Sequence, residues 1–415
     1  MIPAHNSQSP YRLFESLRLG PKTLRNRTIR AAAFEGMAPG HDPSDELIAY
    51  HRAVAAGGVG MSTVAYAAVE RSGLSFPHQL WLRRETLSAL AGVASAIHEG
   101  GALASIQIGH CGNMAKREVI GERPLAPSAN FNVYGPTWPR AMDKTDIVRV
   151  ARSFGEAVRI AKDAGFDAVE VHAGHGYLIS QFLSPLTNHR SDEYGGSLLN
   201  RMRFLKEVML EVKHAAGRDL AVLVKMNLCD GVAGGQSLED AIAIARLLEE
   251  EGADALVLSG GFVSRAPMYI MRGELPTDVM GRLVKNPLMR MMMRVAGPVL
   301  VPSLPYRDNY FLEEAKVVRA AVRMPLVYVG GVVSRESMEE VLGAGFEAVA
   351  MARALIADPQ FVNKLAREES AVSRCDHCNY CAARIYTTKM ACYQRETPET
   401  EFQAICDKRG WHVKD

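Results

Sequence analysis

The sequence predicts an α/β fold, a (β/α)8 TIM barrel followed by a short cysteine-bearing C-terminal tail. Two observations predict this class. An amphipathic helix, a glycine and a short apolar strand recur along the chain, and most of the apolar strands are continuous rather than alternating. Continuous apolar strands are covered on both faces, as in parallel sheets whose strands are joined by helical crossovers. Eight such units fit a closed barrel better than an open, doubly wound sheet.

Eight strand candidates follow one another, and segments long enough for a helix separate most of them. The pattern ends near residue 365, so we divide the chain into a barrel, residues 1–365, and a tail, residues 366–415. The connections over 110–145 and 262–310 are long for such a barrel, and long ordered loops usually carry function. The strand candidates lie within residues 26–33, 55–64, 100–109, 164–173, 220–227, 251–260, 324–331 and 344–352.

Charge and hydropathy exclude several classes of function. Lys and Arg total 48 and Asp and Glu total 46, a formal net charge of +2, so nothing points to nucleic acid or an anionic membrane as a partner. The N-terminal stretch has no apolar core of signal-peptide length, and no later run approaches a membrane span. We therefore expect a cytoplasmic protein that acts on a small-molecule substrate. The oligomeric state is left open by these features.

Polar side chains cluster after the fourth predicted strand. His172 and His175 stand three residues apart at its end, and Tyr177 follows. In a barrel, side chains just past the C-terminal end of a strand point into the active site. Two imidazole N–H groups could polarise a carbonyl or bind an anionic oxygen, and a tyrosine hydroxyl beside them could protonate a carbanion. Two other interpretations stay open: a pair of metal ligands, or two histidines bonded to backbone carbonyls.

The same stretch carries a series of motifs. Residues 169–204 contain HGYL, QFLSP, N-x-R, D-x-YGGS and NR-x-RF in this order. The stretch resembles the signature of the Old Yellow Enzyme (NADH:flavin oxidoreductase) family of FMN-dependent oxidoreductases, and the resemblance extends over about residues 10–365. It implies an FMN that passes hydride to an activated C=C bond, with NAD(P)H as electron donor. His172 and His175 would hold the activating oxygen, and Tyr177 would donate the proton.

The resemblance also implies a set of FMN contacts. The Gln107 amide would bond the pyrimidine edge of the flavin, where an amide offers both donor and acceptor. Lys225 would place a positive charge near the anionic reduced flavin. Two adjacent glycines would let the backbone approach the phosphate, which an arginine would pair. The implied cofactor-binding residues are Ala33, Ala65, Gln107, Lys225, Gly330, Gly331, Ala352 and Arg353.

The first predicted strand departs from the family pattern. It reads NRTIRAAAFEG, and Ala33 or Phe34 stands where family members often carry a polar side chain near the flavin. Arg30 is unusual inside a barrel strand. Glu35 is a plausible salt-bridge partner for it, and the alternative is that Arg30 reaches the flavin. Arg201 is expected to anchor the loop after the fourth strand rather than to touch substrate.

The tail holds four closely spaced cysteines. Cys375, Cys378, Cys381 and Cys392 follow the spacing C-x2-C-x2-C-x10-C, which can supply a 4Fe-4S cluster or a tetrahedral zinc. The phrase CxxCNxxC after a barrel resembles the iron–sulfur segment of trimethylamine dehydrogenase and 2,4-dienoyl-CoA reductase, whose last spacing is a little longer. A 4Fe-4S cluster is the favoured interpretation, and zinc and unliganded thiols are the alternatives.

Three functions therefore compete. The leading hypothesis is an FMN-dependent reductase of an activated C=C bond. A second is an oxidative FMN/iron–sulfur dehydrogenase, such as an amine demethylase, that passes electrons to a partner protein. A third is a non-catalytic assembly subunit with a zinc-held tail, against which the set formed by His172, His175 and Tyr177 argues.

Overall fold

A computed structural model describes residues 12–132, 137–273, 276, 287, 290, 291, 295, 303–384 and 389–392. Eight parallel strands form one closed barrel, in which each strand pairs with the next along the chain and the last pairs with the first. The predicted (β/α)8 class is confirmed, and every strand overlaps the segment predicted for it. The strands are β1 (Thr28–Arg30), β2 (Met61–Ala68), β3 (Leu103–Gly109), β4 (Ala168–Ala173), β5 (Ala221–Asn227), β6 (Ala255–Ser259), β7 (Leu326–Val329) and β8 (Ala348–Met351).

Helices cover the outside of the barrel, and side-chain caps fix where several of them begin. Ser44 Oγ accepts from Leu47 N, and Asp143 forms a capping box with Asp146, which satisfies backbone N–H groups that have no partner within the helix. The barrel helices are α1 (Asp45–Ala56), α2 (Leu87–Glu99), α3 (Lys144–Asp163), α4 (Arg203–Ala216), α5 (Leu238–Glu250), α6 (Leu312–Ala321), α7 (Arg335–Gly343) and α8 (Phe361–Arg367). Shorter helices occupy Arg117–Ile120, Leu178–Leu183, Leu198–Arg201, Pro267–Met271, Arg353–Ala357 and Tyr380–Arg384.

Alternate residues of each strand face opposite sides of the barrel wall. On β4, Val169 and Val171 join the large apolar cluster between strands and helices, whereas Ala168 joins a smaller cluster inside the barrel. Glu170 and His172 have the same parity as Ala168, so they point inward and upward toward the C-terminal end. A hairpin formed by Leu17–Leu19 and Lys22–Leu24 adds its leucines to the interior cluster. The polar residues of the interior therefore collect at the opposite end.

The described part of the tail packs against the barrel. Ser334 pairs with Val372, and Arg374 Nε donates to the carbonyl of Ala357 at 2.5 Å. Farther along, Met390 N donates to the carbonyl of Glu35, just beyond β1, at 2.8 Å. The division at residue 365 stays a prediction, and residues 393–415 lie outside the described residues. Among the helices of the described residues, none has the length and apolarity that crossing a membrane requires.

Candidate active site

His172, His175 and Tyr177 converge at the C-terminal end of β4. The ring centroids of His172 and His175 are 5.0 Å apart, and those of His172 and Tyr177 are 4.6 Å apart. Tyr66, from β2, completes the group, with its ring centroid 5.1 Å from that of Tyr177. His172 is 4% exposed and Tyr66 is 6% exposed. The three residues predicted to share a site do lie together, and Tyr66 is a fourth member that sequence reasoning missed.

Both imidazoles are neutral at physiological pH. Burial, reinforced by the nearby positive charge of Lys225, lowers the pKa of His175 to about 3. Burial, together with His175 and Lys225, also holds the pKa of His172 well below its ordinary value. Gly174 N donates to His172 Nδ1 at 3.4 Å, which assigns the ring proton of neutral His172 to Nε2. His172 can therefore donate one hydrogen bond from Nε2 without carrying a charge.

The backbone of His175 is held in an unusual conformation. Its φ is +61°, in the left-handed region that a side chain with a Cβ seldom occupies. Two neighbouring strands hold it there: Asn227 Oδ1 accepts from His175 N at 2.9 Å, and Ser259 Oγ lies 2.7 Å from His175 Nε2. Strain of this kind persists only where the surroundings fix it, and it clusters at functional sites.

A buried carboxylate links Gln107 and Lys225 across three adjacent strands. Glu170 Oε1 accepts from Gln107 Nε2 at 2.6 Å and from Lys225 Nζ at 2.8 Å. All three residues are at most 4% exposed. The carboxylate orients one donor on each side and offsets the charge of Lys225. Sequence reasoning missed Glu170 because it sits in a continuous apolar strand, although its shared parity with His172 was a usable signal.

The predicted glycines and arginine meet after β7 and β8. Gly330 has φ +146° and Gly331 φ +77°, and a Cβ on Gly330 would lie 2.8 Å from the ring of Phe311. Only glycine fits there, so the backbone stays open to a close approach. Arg353 Nη1 lies 2.7 Å from Asn379 Oδ1 of the tail. We call Gly330, Gly331 and Arg353 the glycine–arginine corner. Ala352, immediately before Arg353, is partly exposed.

The end of β1 is occupied by an ion pair. Arg30 Nη1 lies 2.9 Å from Glu35 Oε1, as one of the two predicted alternatives required. Arg30 is fully buried and also donates to the carbonyls of Thr63 and Ala33, at 2.6 and 2.9 Å. Glu35 Oε1 further accepts from Ala65 N at 2.9 Å and lies 3.2 Å from His51 Nε2. Backbone atoms of Ala33 and Ala65 are thus used to tie Glu35 and Arg30 between β1 and β2.

Arg201 anchors the loop after β4, as expected. Its guanidinium donates to the carbonyl of Leu183 at 2.5 Å and lies 3.4 Å from the Asp240 carboxylate at the start of α5. These contacts hold the chain that leaves Tyr177 against the barrel wall.

The tail thiols lie within electrostatic reach of one another. Burial raises the pKa of Cys381 to about 12, and Cys375, Cys378 and Cys392 contribute further. The pKa of Cys375 is raised by burial and, in smaller part, by Cys392. Among the described residues, however, no three His, Cys, Asp or Glu side chains are gathered closely enough to hold a metal ion. The four cysteines share one region without forming a closed metal site.

Comparison with known proteins decides the family. Residues 12–268 match the family model of the NADH:flavin oxidoreductase / NADH oxidase family. A 4,4'-dithiodibutanoate disulfide reductase of Rhodococcus erythropolis is 41% identical over 377 residues, which cover 90% of this chain and 93% of that protein. The chain belongs to the NADH:flavin oxidoreductase family. It is an enzyme, a flavin-dependent oxidoreductase that uses FMN and NAD(P)H. This favours the two catalytic hypotheses over the non-catalytic assembly subunit.

Two further relatives agree with this assignment. An NADH oxidase of Thermoanaerobacter brockii is 32% identical over 374 residues, and the match covers 88% of this chain but 52% of that longer protein. The solved structure of an old yellow enzyme homologue from Zymomonas mobilis superposes with a TM-score of 0.69 at 25% identity, over 87% of this chain and 94% of that one. The family therefore extends to single barrels and to longer proteins.

The residues present fit the FMN of this family. The glycine–arginine corner combines a backbone segment with no room for a Cβ and a guanidinium group. This combination suits a phosphate. Gln107 and Lys225 supply the donor types that a flavin pyrimidine edge requires. Both parts lie at the C-terminal end of the barrel, together with the histidines.

Proposed function

We propose that the protein reduces a carbon–carbon double bond conjugated to a carbonyl. The arrangement of His172, His175 and Tyr177 carries this proposal, because it places a second neutral imidazole and a phenol with ring centroids within 5.0 Å of the His172 ring in a buried site. The carbonyl oxygen would accept from His172 Nε2 and from His175, where it would share or replace the bond to Ser259. Neutral donors suit an oxygen that becomes negative only during reaction, since they attract no anion beforehand.

Several residues would hold the cofactor. Gln107 and Lys225 would contact the pyrimidine edge of the flavin, the backbone at Ala33 and Ala65 would lie beside it, and the glycine–arginine corner with Ala352 would take the phosphate. Bound FMN, reduced by NAD(P)H, would supply the hydride for the β-carbon of the substrate. Tyr177 would donate its phenolic proton to the α-carbon, so that the double bond gains one hydride and one proton.

A second candidate substrate is a disulfide. Its support is the 41% identity to a 4,4'-dithiodibutanoate disulfide reductase over 93% of that protein. One hydride equivalent and one proton would break the S–S bond and give two thiols, with NAD(P)H oxidised to NAD(P)+. The same Tyr177 hydroxyl would protonate the thiolate that leaves.

One assay separates the two candidates. Purified holoenzyme under argon, with NADH or NADPH, is given 2-cyclohexenone in one reaction and 4,4'-dithiodibutanoate in another, and nucleotide oxidation is followed at 340 nm. Faster turnover per enzyme with the enone, with the saturated ketone as product, is the result we expect. Turnover of the disulfide alone would replace the first proposal by the second, and turnover of neither would contradict both.

We also propose that Cys375, Cys378, Cys381 and Cys392 bind a 4Fe-4S cluster. The support is their spacing together with their mutual electrostatic reach, and the ligand distances would then be set when the cluster binds. Four iron and four sulfide per chain, with an absorbance shoulder that dithionite bleaches, is the expected result. One zinc per chain, or no metal, would contradict it. A cluster would in turn call for an electron-transfer partner protein. Cysteines that serve as ligands must stay reduced, which favours a cytoplasmic location.

A further inference from the structure

Asn379 fastens the cysteine turn, residues 375–379, to the glycine–arginine corner. Arg353 Nη1 donates to Asn379 Oδ1 at 2.7 Å and to the carbonyl of Arg272 at 3.1 Å. Asn379 Nδ2 donates to the same carbonyl at 3.2 Å, which closes a ring of three hydrogen bonds. Asn379 is 1% exposed, so water competes little with these bonds.

A second contact fastens the same turn to the other side of the corner. The His377 ring stacks on the Tyr306 ring with centroids 3.4 Å apart and planes 18° apart. Tyr306 OH donates to the carbonyl of Gly331 at 3.2 Å. The turn therefore contacts the corner directly at Arg353 and, through Tyr306, at Gly331.

The backbone of the turn has an unusual conformation at two residues. His377 has φ +59° and Asn379 φ +58°, both in the left-handed region. Asparagine tolerates this region better than most residues with a Cβ, whereas two such residues in five require surroundings that fix them. The side-chain bonds of Asn379 and the stacked ring of His377 supply those surroundings.

We propose that Asn379 is a positioning residue for the cofactor phosphate, and that the cysteine turn thereby forms part of the FMN site. This inference rests on the proposed role of Arg353. Two acceptors hold Nη1 and fix the plane of a side chain that is otherwise flexible, so Arg353 loses less conformational freedom when a phosphate arrives. The role of Asn379 does not depend on which group the cysteines bind, because the side-chain amide of Asn379 makes the contact with Arg353.

The test compares FMN with riboflavin, which lacks the phosphate. Apoprotein of the full chain is titrated with each flavin, and the dissociation constant is read from the quenching of flavin fluorescence. Asn379→Gly removes the amide while glycine keeps the φ of +58° without strain. We expect a Kd for FMN about tenfold higher and an unchanged Kd for riboflavin, because one charge-assisted bond that positions Arg353 is lost.

Asn379→Asp sharpens the comparison. The carboxylate would pair with Arg353 and compete with the phosphate for the guanidinium, so FMN should weaken more than in Asn379→Gly, again with riboflavin unchanged. Asn26→Ala is the matched control, since it removes a 7% exposed amide at the opposite end of the barrel, where its Nδ2 donates to the carbonyl of Gly58 at 2.8 Å.

The outcomes distinguish the role of Asn379 from the proposed binding of the FMN phosphate by the glycine–arginine corner. Equal weakening of FMN and riboflavin in Asn379→Gly, or wild-type affinity for FMN, would overturn the role of Asn379. Arg353→Ala is titrated in parallel, and loss of its preference for FMN over riboflavin supports the proposed corner. If Arg353→Ala keeps that preference, the phosphate is bound elsewhere and both statements fail.

Discussion

Lys225 and Glu170 form an ion pair of 2.8 Å inside the barrel, with both side chains at most 3% exposed. A buried carboxylate so close to the proposed flavin site opposes the negative charge that a reduced flavin carries. Lys225 favours that charge, and Glu170 offsets Lys225. The electrostatic environment of the cofactor therefore depends on the balance between the positive charge of Lys225 and the negative charge of Glu170.

Replacing Glu170 with Gln should raise the midpoint potential of the flavin. The amide keeps an acceptor for Gln107 and removes the negative charge, so that Lys225 acts without its counter-ion. An increase of about 30 mV is expected, which for two electrons is about 1.4 kcal/mol. A dye-coupled reductive titration measures it. Glu347→Gln, at a 3.3 Å ion pair with Arg319 on the far end of the barrel, is the control and should leave the potential unchanged. A lower or equal potential in Glu170→Gln would contradict the prediction.

Replacing Tyr177 with Phe should leave FMN bound and reducible but slow proton transfer to the substrate. Reoxidation of the reduced enzyme by an enone should fall by about 10² to 10⁴. Phenylalanine keeps the ring contact with His172, 4.6 Å between centroids, so the site should stay in place. Stopped-flow absorbance at the flavin band gives both half-reactions. If the oxidative half-reaction keeps its wild-type rate, Tyr177 is not the proton donor.

Acid should destabilise the folded protein through His175. Its pKa is about 3 when folded, against about 6.5 in an unfolded chain, so the unfolded state binds more protons between these values. Stability therefore falls as pH drops from about 6.5 toward 3, by at most about 1.4 kcal/mol per pH unit from this group. His175→Asn, which tolerates the left-handed backbone, should flatten the dependence. Urea unfolding at pH 7 and pH 5 measures it, with the exposed His214→Asn as the control. Parallel slopes for His175→Asn and wild type would refute the assignment.

Replacing Cys378 with Ala tests the electron supply. If the tail binds a cluster that feeds the flavin, turnover driven by a reduced ferredoxin-like partner should be lost, while turnover with dithionite-reduced flavin is kept. Hydride from NAD(P)H arrives as an electron pair and needs no cluster, so NAD(P)H-driven turnover should be kept in the variant. Ferredoxin-driven turnover equal to that of the wild type would contradict the prediction and make the tail structural. Anaerobic stopped-flow with NADH, NADPH or reduced ferredoxin distinguishes these cases.

The sequence predicted the barrel and the residues that lie at strand ends, because both follow from local patterns. His172, His175 and Tyr177 were placed by the end of one strand, and the Arg30–Glu35 pair was one of two alternatives for an arginine inside a strand. Partners supplied by other strands were not predicted. Ser259 and Asn227 reach His175 from β6 and β5, and this proximity depends on how the strands align around the barrel.

Contacts of the tail were beyond sequence reasoning for a related reason. The cysteines were recognised by their spacing alone. That Asn379 reaches Arg353, or that His377 stacks on Tyr306, depends on the path by which the tail returns over the barrel mouth. The periodicity of apolar residues does not predict the course of the tail, since each of these contacts joins residues that are far apart in the sequence and have no regular spacing.

The contact between Met390 and Glu35 has a consequence for biosynthesis. The amide of residue 390 meets the carbonyl of residue 35, so two segments separated by nearly the whole described chain must find each other. A ribosome delivers them in order, tens of seconds apart at about 5–20 residues per second. A nascent chain would keep the Arg30 region open until residue 390 had emerged. Met390 Sδ lies 3.9 Å from Arg30 Nη2, so chains arrested before residue 390 would lack the side chain that covers the Arg30–Glu35 ion pair.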